Sequence, residues 1–388
     1  MSLRIAMIIA RYPPHIGGTE IQCQRLSEAL AARGHHVTIW TERRDNTTAS
    51  FEQHGHLSVR RLSTWGNPPW SSLHFCFQLA CRLPELLRAD VWHAHMTAAP
   101  AIMTLLMGRL TGKKTLVKIA GAHQTGEIFT ARQTYLGRWK LRLLKRWAGR
   151  VVCPSQQAKK ELEALGFRPE QLARIPNGIP LDKILPITTS AKAEHRRALH
   201  LPENDRIAVY AGRSDPGKGV DLLLQLWQQS SGANEFQWTL LILTTSDSFQ
   251  AQRSRMGLSS MPARVHVVEN ATALWPYYQA SDVAILLSKG EGLSNFLLEA
   301  MACGLPVLTT AEAAPAPESE QSRWGWQVQL CEAVPETKAI LMDLQNASES
   351  LEAKGKLAAD FVRKTFAINQ VADQYETLYS RLLGNKIA

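Results

Sequence analysis

The chain opens on "LRIAMII", a short continuous apolar run that reads as a buried parallel strand. A loop with Pro13, Pro14, Gly17 and Gly18 follows. In "TEIQCQRLSEALAARG", Ile21, Leu26, Ala29 and Leu30 recur near helical spacing, and Gly34 is a natural stop. "HVTIWT" is the next strand. This strand–helix–strand rhythm leaves little choice but an open α/β sheet, because each element must bury a face against the next. It recurs at "DVWHAHM", "KTLVKIAG" and "RVVCPS". A second set runs through "RIAVYAG", "WTLLILTT", "RVHVV", "DVAILLS" and "PVLTT".

Two similar α/β halves suit a chain of 388 residues, since a domain takes ~100–200. The weakest region between them is residues 178–197, "GIPLDKILPITTSAKAEHRR", which has turn residues and then a polar run without apolar period. The inter-domain linker is expected there. The division expected is residues 1–182 and 183–365, with 366–388 returning to the first domain. "AINQVADQYETLYSRLLGNKIA" is a helix candidate with Val371, Tyr375, Leu378, Tyr379 and Leu382 on one face. No apolar stretch approaches the ~18 residues of a membrane span, and no secretory signal is expected. Six cysteines without a CxxC pair read as reduced thiols, so a cytoplasmic protein is expected. The net charge of +10 invites nucleic acid, anionic lipid or anionic small molecules.

Two segments carry chemistry. In "VYAGRSDPGKGVDLLLQLW" a strand gives way to a helix through Arg213, Gly217, Lys218 and Gly219. Cations and glycines at a helix start suit a phosphate group; a glycine-rich turn with two solvated cations is the plainer reading. The stretch nearly matches a P-loop, but Gly219 stands where Ser or Thr would hold magnesium. In "SKGEGLSNFLLEAMACGLPV", Ser294 or Asn295 can cap a helix ending at Gly304. Glu299 lies one turn inside that helix among apolar residues, and Glu291 lies in the preceding loop. A buried carboxylate needs a partner, either an internal cation or ligand hydroxyls. Amides near Leu293, Ser294 and Asn295 add an anion site at the helix start.

The segment from Glu291 to Val307 resembles the signature of the retaining glycosyltransferases of family 4, which have the GT-B fold. Further motifs follow in the family's order: "PPHIGGTE", "RGHHVTIWT", "DVWHAH", "RIPNGIPLD", "YAGRSDPGKGVDLLL" and "VADQYETLY". The resemblance implies two Rossmann-like domains facing each other across a deep cleft, with the last helix crossing back to the N-terminal domain. It implies a sugar moved from a nucleotide-diphosphate sugar to a saccharide or lipid-linked acceptor, as in bacterial cell-surface polysaccharide, lipopolysaccharide or glycolipid synthesis. Arg213 and Lys218 would bind the diphosphate. Glu299 would accept from the ribose hydroxyls. Glu291, Gly292, Leu293, Ser294 and Asn295 would hold the donor sugar and its phosphate. Gly17 and Gly18 would let the first loop approach the diphosphate. His123 and Asn177 are offered as sugar or acceptor contacts, although a solvated loop is the alternative for His123.

Some features depart from the family pattern. "SDSFQ" and "AEAAPAPE" stand where many members have glycine-rich loops, so residues 244–250 and 311–318 put the nucleotide pocket's shape in question. His93 and His95 point to one face of a strand, but no third ligand is apparent. With no Asp-x-Asp pair either, no metal and no cofactor are expected. Residues 131–150 hold seven cations and no acid, with Leu136, Trp139, Leu143 and Trp147 on one helical face. That suits either a helix on an anionic membrane or a core helix with a solvated basic face. "STWGNPPWSS", residues 63–72, is expected to be an aromatic loop. The competing functions are a P-loop-like hydrolase, a basic nucleic-acid-binding protein and a non-catalytic scaffold. The missing Ser/Thr at Gly219 and the lack of a nucleic-acid module count against the first two. The intact set Arg213, Lys218, Glu291 and Glu299 counts against the third.

Overall fold

A computed structural model describes residues 2–384 apart from 15–16, 45–46, 124–125, 183 and 231–234. His15 and Ile16 of the first glycine loop therefore lie outside the described residues. The chain divides into two compact units, residues 1–178 with 368–388, and residues 179–367.

The first unit is built on strands β1 (Arg4–Ile8), β2 (His36–Arg43), β3 (Phe51–His54), β4 (Leu57–Ser63), β5 (Val91–His95), β6 (Lys114–Lys118), β7 (Arg150–Cys153) and β8 (Leu172–Arg174). Their order is β3-β4-β2-β1-β5-β6-β7-β8, and only the β3/β4 pair is antiparallel. Successive side chains enter opposite cores, as the strand period requires. Ile5 and Met7 pack under the helices Gly18–Ala32 and Ile368–Leu383. Ala6 and Ile8 pack under the helices Trp70–Cys81, Ala99–Thr111 and Tyr135–Trp147. On the last helix, Val371, Tyr375, Leu378, Tyr379 and Leu382 are all buried.

The second unit holds β9 (Arg206–Ala211), β10 (Trp238–Thr244), β11 (Val265–Glu269), β12 (Val283–Leu286), β13 (Val307–Thr310) and β14 (Gly325–Val328), all parallel, in the order β11-β10-β9-β12-β13-β14. The chain runs outward from β9 to β11 and then returns to β12 on the other side. Strand order therefore reverses between β9 and β12. Open parallel sheets bind their ligands at the carboxyl ends of the strands flanking such a reversal.

Two expectations are corrected. Residues 178–197 are not a plain linker, since they contain most of the helix Thr189–Ala198. Residues 63–72 are not wholly a loop, since a helix begins at Trp70 after Pro69. The β3/β4 hairpin turns at Gly55, whose φ of 58° is the left-handed conformation glycine accepts freely.

Candidate active site

Three loops meet at the carboxyl ends of β9, β12 and β13. The first, residues 212–219, is drawn onto the second by backbone contacts. The Lys289 amide donates to the Gly217 carbonyl at 2.8 Å. The Ser288 hydroxyl donates to the same oxygen at 3.1 Å. Gly219 has φ of 81°, and a Cβ there would lie 2.3 Å from the Leu287 carbonyl oxygen. Only glycine fits. The residue that breaks the P-loop match is thus set by close packing between the two loops. The third loop joins through the Glu291 amide, which donates to the Glu312 carbonyl at 3.0 Å. The Thr310 hydroxyl also donates to the Ser288 carbonyl at 2.6 Å.

The charged side chains follow this backbone frame. The Lys218 ammonium donates to the Glu291 carboxylate at 2.7 Å, tying together the loops on either side of the reversal. Arg213 is largely exposed and pairs with Asp215 at 3.0 Å. The Tyr210 hydroxyl donates to the Arg213 carbonyl at 2.8 Å. Burial pushes the Tyr210 phenol well up, and the Glu291 and Asp215 charges add to it. It therefore stays a neutral donor and pins the start of the loop.

Gly292 and Leu293 lead into the helix Asn295–Ala302. Ser294 is its cap, its hydroxyl accepting from the Leu297 amide. Gly304, at φ of 85°, ends it as the glycine stop requires. Glu299 is buried within this helix and accepts from the Tyr278 hydroxyl at 3.4 Å. Tyr278 comes from the helix Trp275–Ala280 and packs against Phe296, with ring centroids 5.6 Å apart. Burial, and then the Glu299 charge, push the Cys303 thiol up, so it stays protonated.

The expected residues thus fall into separate groups. Lys218 and Glu291 are brought into contact, and Gly292, Leu293, Ser294 and Asn295 continue the same loop into its helix. Arg213 stands at the mouth of the adjoining loop. Glu299 is held from below by Tyr278. Gly17, Gly18, His123 and Asn177 belong to the first unit. Gly17 precedes the helix that Gly18 begins. His123 is half-buried at φ of 60°, its amide donating to Glu161 at 2.9 Å. Asn177 is buried beside Gly178, whose amide and carbonyl both bond the Gln22 side chain. His93 and His95 stack face to face at 4.4 Å inside the first unit. Among the described residues no group of three His, Cys, Asp or Glu is placed to hold a metal ion.

Sequence reasoning missed Tyr210, Tyr278, Thr310 and Glu312. One carboxylate oxygen of Glu312 is buried with no hydrogen-bond partner among the described residues, in the loop whose carbonyl holds Glu291. Its signal in the sequence is the departure of "AEAAPAPE", residues 311–318, from the family pattern.

The architecture is that of the GT-B glycosyltransferases. Sucrose-phosphate synthase from Thermosynechococcus elongatus matches with a TM-score of 0.81, covering 98% of this chain and 99% of that one at 22% identity. Anabaena HepE, solved in complex with UDP-glucose, matches at 0.77 over 97% and 100% of the chains at 17% identity. Residues 16–183 match Glycosyltransferase Family 4, and residues 205–342 match Glycosyl transferases group 1. An uncharacterized glycosyltransferase of Methanocaldococcus jannaschii is 24% identical over 328 residues, 80% of this chain and 80% of that one. The chain belongs to the family 4, group 1 glycosyltransferases.

Proposed function

We propose that this glycosyltransferase moves a sugar, with retention of anomeric configuration and without a metal, from a nucleoside-diphosphate sugar to a saccharide or lipid-linked acceptor. The observation that carries the reading is the Lys218–Glu291 pair bridging the loops at the strand-order reversal. A structural neighbour solved with UDP-glucose supports a nucleotide-sugar donor.

The residues suggest how the step runs. As the bond from the sugar carbon to the diphosphate oxygen breaks, positive charge grows on the sugar and negative charge on the diphosphate. Lys218 and Arg213 are the cations beside that negative charge. The helix starting at Asn295 turns its positive end toward the same loops. A diphosphate there competes with Glu291 for Lys218. Donor binding thus exchanges one anion for another on the lysine and frees the Glu291 carboxylate to accept from the donor sugar. Glu299, already held by Tyr278, accepts from the ribose hydroxyls. The acceptor oxygen bonds to the sugar carbon on the face the phosphate leaves, and the acceptor proton passes to the departing phosphate. No protein nucleophile is needed.

The acceptor side is part of the same reading. It places the enzyme in the cytoplasm, in cell-surface polysaccharide, lipopolysaccharide or glycolipid synthesis, with peripheral membrane contact through residues 131–150. His123 and Asn177 serve as the sugar or acceptor contacts, and Gly17 and Gly18 as the loop against the donor.

Thermal unfolding with UDP, GDP, ADP or CDP, each with and without EDTA, tests the donor site. One nucleotide should stabilise the protein equally in both conditions, and Glu299→Gln should weaken that shift. Lys218→Ala should lower turnover by roughly 100–1000-fold, the usual cost of a lost charge-stabilising donor. A shift abolished by EDTA would overturn the metal-free reading. No shift from any nucleotide would overturn the donor site.

A further inference from the structure

The structure shows which face of the basic helix turns inward, a choice its sequence left open. Its core side consists of Gly137, Leu141 and Leu144. Leu136 and Trp139, which share the other apolar stripe, are 58% and 44% exposed. Core packing therefore does not account for them. Their neighbours repeat the pattern. The helix Ala99–Thr111 packs against the basic helix and leaves Leu110 77% exposed. The helix Trp70–Cys81 packs against Ala99–Thr111 and exposes Trp70, Leu73 and Phe77. Eleven of the fifteen large exposed apolar side chains among the described residues lie between Trp65 and Trp139. Apolar groups gathered in this way on adjoining helices mark a surface that meets something apolar.

The charge on the same layer says what it meets. Arg138, Arg142 and Arg146 are exposed, and none has an ion-pair partner among the described residues. Aromatic and aliphatic side chains bordered by unneutralised cations match an anionic bilayer. The acyl boundary takes the apolar groups and the lipid phosphates take the arginines. A nucleic acid would use the cations but would leave Leu73, Phe77 and Leu110 in water. Among the described residues no helix is long and apolar enough to cross the bilayer.

We infer that the layer formed by the helices Trp70–Cys81, Ala99–Thr111 and Tyr135–Trp147 is a docking face for an anionic membrane surface. This rests on the peripheral contact proposed for residues 131–150 and extends it to two further helices. The helix Trp70–Cys81 supplies the inserting side chains, and Tyr135–Trp147 supplies the charge.

The test is co-sedimentation of the full chain with phosphatidylcholine vesicles, with and without phosphatidylglycerol, alongside binding to duplex DNA at the same salt. The wild type should bind only the anionic vesicles. Arg138→Glu/Arg142→Glu/Arg146→Glu should bind them roughly 100-fold more weakly. Trp70→Ser/Phe77→Ser, which keeps every cation, should lose about 10-fold. The inference is overturned if the wild type ignores anionic vesicles or if the serine pair binds them as the wild type does. It is equally overturned if duplex DNA binds as tightly as the vesicles with no effect of the serine pair. All these variants should keep the thermal shift given by the nucleoside diphosphate. Loss of vesicle binding with that shift intact concerns this face alone, whereas loss of the shift in the wild type concerns the donor site.

Discussion

Two buried polar clusters, one in each unit, are built on opposite principles. At the amino end of β12, Asp282 accepts from Lys192, from Arg196 and from the Ile207 amide, each at 2.7 Å. Arg196 spends its other donors on the carbonyls of Ala280, Glu203 and Asp205, each at 2.9 Å. Burial alone would raise the Asp282 carboxyl, but Lys192 and Arg196 outweigh it and hold it below the usual range. Under the last helix, by contrast, both ring nitrogens of His95 are buried without a partner among the described residues, as is Nε2 of His93. Lys118 pairs with His95 across β5 and β6 and is itself buried, with the Tyr375 ring 5.9 Å from its ammonium. A satisfied ion cluster resists the loss of any one member. An unsatisfied one gains when its charge is removed.

The sharpest way to break this contrast is Asp282→Ala. It leaves the buried Arg196 and the half-buried Lys192 with no anion between them, which costs about 3–5 kcal/mol. Asp282→Asn should lose nearly as much, because the amide keeps the shape without the charge. Urea unfolding of both variants measures it. A loss below about 1 kcal/mol would show that the cluster is solvated after all.

The same contrast explains what could be read from the sequence. β1, β9 and β10 were legible because continuous apolar runs have few alternatives. The helix Thr189–Ala198 was not, because Lys192 and Arg196, one turn apart, bury charge rather than hydrocarbon and leave no apolar period. Glu291 and Glu299 were legible as a pair through the family resemblance. The contact of Glu291 with Lys218, 73 residues away in the chain, was not. Nor was the support Tyr278 gives Glu299, since it depends on how two helices pack. For the basic helix the sequence left open whether the stripe Leu136, Trp139, Leu143 and Trp147 meets a membrane or the core, because the face turned inward is set by packing; the structure buries Gly137, Leu141 and Leu144 and leaves Leu136 and Trp139 exposed.

The second unit's cluster loses stability when a charge is removed; the first unit's should do the reverse. Burial lowers the Lys118 ammonium to about 8, and the Cys23 thiol, pushed up to about 12 by its own burial, is neutral at that pH and supplies no counter-charge. Folding therefore bears the cost of a charge it does not use. Lys118→Met keeps the length and removes the charge, and should raise unfolding free energy by about 2 kcal/mol at neutral pH. A loss instead would mean that Lys118 holds an anion, and the two clusters would then be alike.

The smallest effect appears only in acid. Burial, and then the Lys118 charge, lower His95 to about 3, from an ordinary value of 6.5. Above 6.5 the ring is neutral folded or unfolded, and it contributes nothing to pH dependence. Between 6.5 and 3 the unfolded chain takes up a proton that the folded chain refuses, so stability falls as the pH drops. The slope is at most ~1.4 kcal/mol per pH unit. His95→Leu removes this titration while leaving His93 bonded to the Tyr379 hydroxyl at 2.8 Å. Its urea midpoint should track the wild type at pH 8 and fall less steeply below pH 6.5, the difference reaching about 1 kcal/mol at pH 5.5. Parallel curves would show that His95 is protonated in the fold, and hence that the first cluster hides a partner as good as Asp282.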